Sequence, residues 1–130
     1  MGRFTASGND RGYTLIELMV VVTIIGTLAS IAQPNLQRTI IRARESSLRQ
    51  SLFVMRDVID QYYSDRGKYP DSLDELVADR YVRAIPEDPF TKSSSTWIVV
   101  TPEDDSKGMV YDVHSGSDLV ALDGTPYNEW

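Results

Sequence analysis

A run of 20 residues without a charged side chain, residues 18–37, constrains this chain more than any other feature. A helix needs about 20 apolar residues to cross the hydrocarbon core of a bilayer. The run therefore predicts a membrane-spanning helix. A cleaved secretory signal is the alternative, because basic residues precede the run and residues 29–32 resemble a small-residue cleavage site. The length of the run and the acidic Glu17 at the start of the apolar segment argue against that alternative.

Charge is unevenly distributed along the chain, whose net charge is −6. Residues 38–56 carry five arginines against Glu45 alone, a net of +4, whereas residues 57–130 carry 16 acids against 6 bases, a net of −10. An acidic chain is a poor ligand for nucleic acid, because proteins bind nucleic acid largely by neutralising its phosphates. The absence of cysteine excludes disulfides and thiol chemistry, and the single histidine excludes any site that needs two imidazoles.

Glu17 is the most informative single residue, because a carboxylate in a membrane segment is costly unless it has a partner. The simpler interpretation is that Glu17 lies at the membrane surface and reaches water. Its context favours a functional role. The residues from Arg11 onward read Arg-Gly-Tyr-Thr-Leu-Ile-Glu-Leu-Met-Val-Val-Val, and an apolar segment that contains Gly26 and Pro34 follows them.

This segment resembles the class III signal of type IV pilins and pseudopilins. The resemblance implies that a prepilin peptidase cuts after Gly12 and that the new N-terminus, Tyr13, is N-methylated. Most members of the family have Phe at the position of Tyr13. The resemblance also implies that Glu17 neutralises the N-terminal amine of a neighbouring subunit and so sets the register of assembly.

The rest of the chain predicts an α+β fold. Five apolar residues continue the helical pattern at spacings of 4, 3, 4 and 3, namely Leu48, Leu52, Met55, Ile59 and Tyr62. Ser72 and Glu75 have the spacing of a capping box for a short helix. Two β-like runs, 97–101 and 109–113, flank an acidic turn, and an ordered loop follows from 115 to 130. We therefore expect a long N-terminal helix packed on a small antiparallel sheet, as in type IV pilins.

The second half of the chain resembles a narrower group, the major pseudopilins of type II secretion. The resemblance rests on Asp-Arg-Gly-Lys-Tyr-Pro after the long helix and on Ile-Pro-Glu-Asp-Pro-Phe before the strands. It implies a bridge between Asp60 of one subunit and Arg83 of the next. It also implies that the loop 115–124 binds calcium through Asp118, Asp123 and Ser117 with backbone carbonyls, although a simple Asp-Gly turn is the alternative.

These resemblances imply the following organisation. Residues 1–12 are a leader, residues 13–37 are the transmembrane and assembly half of the helix, and residues 38–130 form a periplasmic domain. The chain would be a non-enzymatic subunit that polymerises from the bacterial inner membrane into a periplasmic filament and promotes export of folded proteins. Its partners would be copies of itself, the peptidase, minor pseudopilins, the assembly platform, and indirectly the secretin and exported proteins. A type IV pilus subunit and a monomeric membrane-anchored binding domain are the alternatives.

Overall fold

The computed structural model describes the backbone of residue 2 and of residues 9–130, and the side chains of residue 2 and residues 14–130. It contains two compact units, Met1–Ile40 and Ile41–Trp130. The first helix, α1 (Asn9–Arg66), contributes to both units. In the first unit the helix continues through Gly26 and Pro34 without a break. The α+β architecture predicted from the sequence is confirmed.

The second unit is built on the last part of α1 and three kinds of short element. A second helix, α2, spans Leu73–Ala78, and two strands, β1 (Ile98–Val100) and β2 (Asp112–His114), pair antiparallel. In this pairing Val99 lies opposite Val113. Two 3₁₀ turns, Asp105–Lys107 and Tyr127–Glu129, complete the described elements. The two-stranded sheet is too small to be stable alone and depends on the helix that covers it.

The core of this unit lies between α1 and the chain that follows it. All five residues of the predicted apolar stripe are buried, and Val58 on the same helix is buried with them. They form one cluster with Leu76, Trp97, Val110, Val113, Ala121 and Tyr127. Burial of each large apolar side chain contributes about 1.5–3 kcal/mol, so this cluster is the main source of stability for the unit.

The capping box predicted for Ser72 and Glu75 does not form. Ser72 is the N-cap residue of α2, but its side chain makes no capping hydrogen bond. The Glu75 carboxylate instead accepts a hydrogen bond from the backbone N–H of Asp71, at 2.7 Å. This bond is the main cause of the lowered pKa of Glu75. The acid at the start of α2 therefore stabilises the turn before the helix.

The second strand begins later than the sequence predicted, because the chain before it has another partner. The backbone N–H groups of Met109 and Val110 both lie within hydrogen-bond distance of the Pro70 carbonyl, at 3.2 and 2.9 Å. Gly108 makes this approach possible, since it has φ +105° and a Cβ there would lie 2.1 Å from the Tyr69 carbonyl oxygen. Strand pairing with β1 consequently includes Asp112 to His114.

Candidate functional site

The N-terminal part of α1 is an apolar surface that the described chain leaves uncovered. Among the described residues one helix, Thr14–Arg66, has the length and composition to cross a membrane, and its apolar window has a mean hydropathy of 2.3 with none of it buried. The large apolar side chains between Leu15 and Ile31 are 46–63% exposed. Such a surface needs lipid or another protein to cover it.

The hydroxyl groups of this segment are already satisfied by the helix itself. Thr23, Thr27 and Ser30 each donate to the carbonyl oxygen four residues earlier, at 2.7–2.8 Å. A helix in a bilayer must satisfy its polar groups internally, and these three bonds do so. Glu17 is the one ionisable residue between positions 14 and 37, and its side chain is exposed.

The predicted cleavage and methylation positions, Gly12 and Tyr13, lie on the backbone of α1, but their side chains are outside the described part of the chain. Most of the predicted leader, residues 1 and 3–8, also lies outside the described residues. The roles of Gly12, Tyr13 and Glu17 therefore stay predictions.

Asp60 and Arg83 are both exposed and lie in different grooves. Asp60 lines a groove of about 510 Å³ beside Phe53 and Trp130. Arg83 lines a groove of about 400 Å³ that includes Val54 and Pro86. Neither residue belongs to an ion pair within the described chain. Both charges are therefore accessible to a second subunit, and the bridge between subunits stays a prediction.

The predicted calcium loop uses several of its oxygens for its own turns. The Ser117 hydroxyl is buried and accepts a hydrogen bond from the Leu119 backbone at 3.2 Å. One carboxylate oxygen of Asp123 accepts hydrogen bonds from the hydroxyl and the backbone N–H of Thr125, at 2.6 and 3.0 Å. The Thr125 hydroxyl is the main cause of the lowered pKa of Asp123. Asp118 is exposed.

Within the described residues no group of three or more acidic, histidine or cysteine side chains is placed to hold a metal ion. Calcium needs six to eight oxygen ligands. A calcium ion in this loop would therefore depend on Asp118, the second oxygen of Asp123, and hydroxyl or backbone carbonyl oxygens. This donor set is chemically suited to calcium but poor in carboxylates.

Three polar contacts hold the C-terminal loop, and sequence reasoning did not identify any of them. One oxygen of Glu45 on α1 accepts hydrogen bonds from the Leu122 backbone and the Tyr127 hydroxyl, both at 2.9 Å. Arg56, also on α1, donates to Asp112 at 2.7 Å and to the Trp130 carbonyl at 2.6 Å. These two contacts join residues more than 50 positions apart, so no local pattern reveals them.

The third contact is a buried pair. The Ser115 hydroxyl donates to the carboxylate of Asp88, and both side chains are fully buried. The other Asp88 oxygen accepts hydrogen bonds from the backbone of Phe90 and Thr91. Ser115 is thereby committed to Asp88 rather than to the neighbouring His114 and Asp112. This buried pair ties the C-terminal loop to the segment before β1.

Comparison with known proteins agrees with the uncovered apolar helix at the start of the chain. Residues 7–33 match the family model described as the prokaryotic N-terminal methylation motif. The chain is 31% identical over 98 residues to the type II secretion system core protein G of Klebsiella michiganensis, an alignment that covers 63% of this chain and 69% of the relative. The corresponding protein of Escherichia coli K12 is 29% identical over 113 residues, covering 75% and 76%.

A fimbrial protein, EcpC of Eikenella corrodens, is 32% identical over 121 residues, covering 89% of this chain and 75% of the relative. No solved structure matches the chain. Relatives named as core protein G outnumber those named as pilins among the similar proteins. With a methylation motif at the start of an uncovered apolar helix, the chain belongs to the family of the type II secretion system core protein G, the major pseudopilins.

Proposed function

We propose that this chain is the major structural subunit of a type II secretion pseudopilus, which polymerises from the inner membrane into a helical filament in the periplasm. The observation that carries the proposal is the uncovered apolar part of α1, most of which lies within the match to the methylation motif at residues 7–33. In the membrane this surface is covered by lipid, and in a filament it is covered by the helices of other subunits. Assembly then transfers the surface from one apolar environment to another.

Glu17 sets the axial position at which each subunit adds to the filament. Cleavage after Gly12 leaves the N-terminal amine of Tyr13 four residues before the Glu17 carboxylate. A charge in the membrane costs about 2.5–3.5 kcal/mol at the helix centre on insertion scales. Pairing Glu17 with the amine of an adjacent subunit reduces that cost for both charges. Subunits that add in the correct axial position are therefore favoured over those that do not.

The proposed role involves several partners and no catalysis by the subunit. A prepilin peptidase removes the leader, an inner-membrane platform adds the subunit, and minor pseudopilins share the filament. The secretin and the exported proteins interact with the filament indirectly. Support for this set of partners comes from membership of the core protein G family and from the methylation motif.

A type IV pilus subunit is the second candidate, and the similarity to the fimbrial protein EcpC over 89% of this chain favours it. The two functions differ in the length and place of the filament. Long surface filaments in wild-type cells support the pilus function, whereas short filaments confined to the periplasm support the pseudopilus.

We also propose that the C-terminal loop takes a calcium ion through Asp118, Asp123 and Ser117. The ion would supply positive charge in residues 57–130, a part of the chain with a net charge of −10. Asp123 and Ser117 organise the turns on either side of the loop, as the hydrogen bonds to Thr125 and Leu119 indicate. The loop is already held at Leu122 and Tyr127 by Glu45, so an ion would strengthen an ordered segment.

The experiment that tests the proposed function is the mass and N-terminal sequence of the chain extracted from membranes, with and without a prepilin peptidase. The expected mature protein begins at N-methylated Tyr13 only when the peptidase is present. A protein that keeps residues 1–12 in both preparations would contradict the proposal. A protein that is cleaved near residue 32 would indicate a secretory signal instead.

A further inference from the structure

A cleft lined by three tyrosines lies beside the last turns of α1. Its volume is about 610 Å³, and an acidic loop that contains Glu103 and Asp104 forms one wall. The rings of Tyr63 and Tyr69 stack with their centroids 4.4 Å apart, and Tyr111 meets Tyr69 edge-on at 5.4 Å. Tyr111 is 52% exposed. The cleft therefore presents aromatic surface and carboxylates side by side.

This combination suits a guanidinium group. A planar arginine side chain stacks on aromatic rings and pairs with carboxylates at the same time, which lysine does less well. Glu103 has no hydrogen-bond or ion-pair partner in the described part of the chain. One oxygen of Asp104 is used by the backbone and hydroxyl of Ser106, which leaves the other available. Lys107 also lines the cleft but forms no ion pair there.

The same chain carries arginines that lack such partners. Arg42 and Arg44 on α1 are exposed, and neither forms an ion pair with any described residue. The one acid nearby in sequence, Glu45, already accepts hydrogen bonds from Leu122 and Tyr127. The chain therefore has unpartnered arginines at one end of its second unit and an aromatic, acidic cleft at the other.

A single copy cannot bring these two features together. Arg42 and Tyr63 are 21 positions apart on one helix, which is about 30 Å at 1.5 Å per residue. That distance is several times the length of an arginine side chain. A second copy that is shifted along the helix axis by about this distance brings its arginines to the axial level of the cleft. Contacts between two different surfaces of identical subunits build a filament wherever the rotation between neighbours does not close into a ring.

We propose that the cleft of Tyr63, Tyr69 and Tyr111, with Glu103 at its rim, binds Arg42 or Arg44 of a second copy of this chain. The proposal rests on the polymerisation set out above and names a contact within it. Its distinguishing feature is the chemistry of the contact, an arginine held between tyrosine rings and a carboxylate.

Cysteine crosslinking of the full chain, in cells that carry the secretion system, tests this contact. The natural chain has no cysteine, so introduced thiols react without background. Thr101→Cys places a thiol on the cleft wall, and Ser46→Cys places one on the exposed stem one turn after Arg42. The double variant, treated with a short bismaleimide, should give a ladder of dimers and higher oligomers. Each single variant should give none.

The charge requirement is tested in the same double-cysteine background. Glu103→Arg should lower the yield of crosslinked ladder about five- to tenfold, which is the effect expected of a contact of this kind. Adding Arg42→Glu or Arg44→Glu should restore most of the ladder and so identify the partner. Glu87→Arg, an exposed acid outside the cleft, is the matched control and should leave the ladder unchanged.

Electron microscopy of the same cells separates this contact from the proposed function. Filaments without a Thr101–Ser46 ladder would overturn the contact and leave polymerisation intact. A ladder that Glu103→Arg does not reduce, or that neither arginine change restores, would also overturn it. An absence of filaments from the unmodified chain would overturn the polymerisation itself, and the contact with it.

Discussion

Replacement of Glu45 by alanine should destabilise the second unit by releasing its C-terminal loop. Glu45 belongs to α1, and one of its carboxylate oxygens accepts hydrogen bonds from the Leu122 backbone and the Tyr127 hydroxyl, both at 2.9 Å. Tyr127 is 1% exposed and stacks on Phe90 with ring centroids 3.9 Å apart. In the Glu45→Ala variant the Tyr127 hydroxyl loses the hydrogen-bond acceptor that it has in the folded chain.

The size of the effect follows from the two lost hydrogen bonds. A hydrogen bond to a charged group contributes about 1.5–3 kcal/mol net, and a buried polar group left without a partner costs about 1–3 kcal/mol. Glu45 is partly exposed, which places each bond at the lower end of its range. We expect Glu45→Ala to lower the free energy of unfolding by about 2–4 kcal/mol. Tyr127→Phe removes one bond only and should cost about 1–2 kcal/mol.

Tryptophan fluorescence during urea unfolding measures these changes. The chain has two tryptophans, Trp97 and Trp130, and both belong to the second unit, so the signal from the full chain in detergent reports on that unit. In a double-mutant cycle the two changes should be coupled by about 1 kcal/mol, because they remove the same bond. Glu87→Ala, at an exposed position, is the control and should change stability by less than about 0.5 kcal/mol.

The same contact predicts a dependence on high pH. Burial, and next the hydrogen bond to Glu45, raise the pKa of Tyr127 to about 12 from its ordinary value of 10.0. The hydroxyl is neutral in both folded and unfolded chains below pH 10, so its contribution is complete there. This contribution to stability is lost as the pH rises through 12, because between pH 10 and 12 Tyr127 ionises readily in the unfolded chain only. The advantage of the wild type over Tyr127→Phe should therefore shrink from pH 10 upward. The reasoning about this contact is wrong if Glu45→Ala is as stable as Glu87→Ala.

Three further predictions concern processing, the bridge between subunits, and calcium. Gly12→Leu should leave the leader uncleaved, since the bulky side chain blocks the cut, and a mature mass from that variant would contradict the motif. Asp60→Arg and Arg83→Asp should each reduce the filament yield seen by microscopy, and the double swap should partly restore it because the opposite charges meet again; equal defects in all three would exclude a direct pair. EGTA should lower the melting temperature of the second unit by removing about 2.7 kcal/mol at a hundredfold excess of calcium over its Kd. Asp118→Ala and Asp123→Ala should abolish that shift. A melting temperature that EGTA does not change in the wild type would show that the loop is a simple Asp-Gly turn.

The features that the sequence predicted well are those determined by neighbours along the chain. The spacing of Leu48, Leu52 and Met55 is the period of a helix, and these residues are buried in the core as predicted. The uncharged run needs only length and composition to be recognised. The antiparallel pair of strands was also predicted, because apolar runs that flank a polar turn are typical of a hairpin-like arrangement.

The features that were missed depend on residues far apart in sequence. Glu45 and Tyr127 are separated by 82 positions and Arg56 and Asp112 by 56, so each looked like an ordinary charged or aromatic residue. The start of β2 was misplaced because the backbone of Val110 bonds to the Pro70 carbonyl, a contact that only the folded chain brings together. Asp88 was noticed as part of a motif, but its buried bond to Ser115 was not.

The most direct test of polymerisation from the membrane is the filament yield of Glu17→Leu. This change removes the one charge between positions 14 and 37, so membrane insertion should be as good as in the wild type or better. The Leu variant should nevertheless give few or no filaments, because the N-terminal amine of each subunit then has no carboxylate partner. Glu17→Asp keeps the charge and should assemble better than the leucine variant. Normal filament yield from membrane-inserted Glu17→Leu would contradict the account.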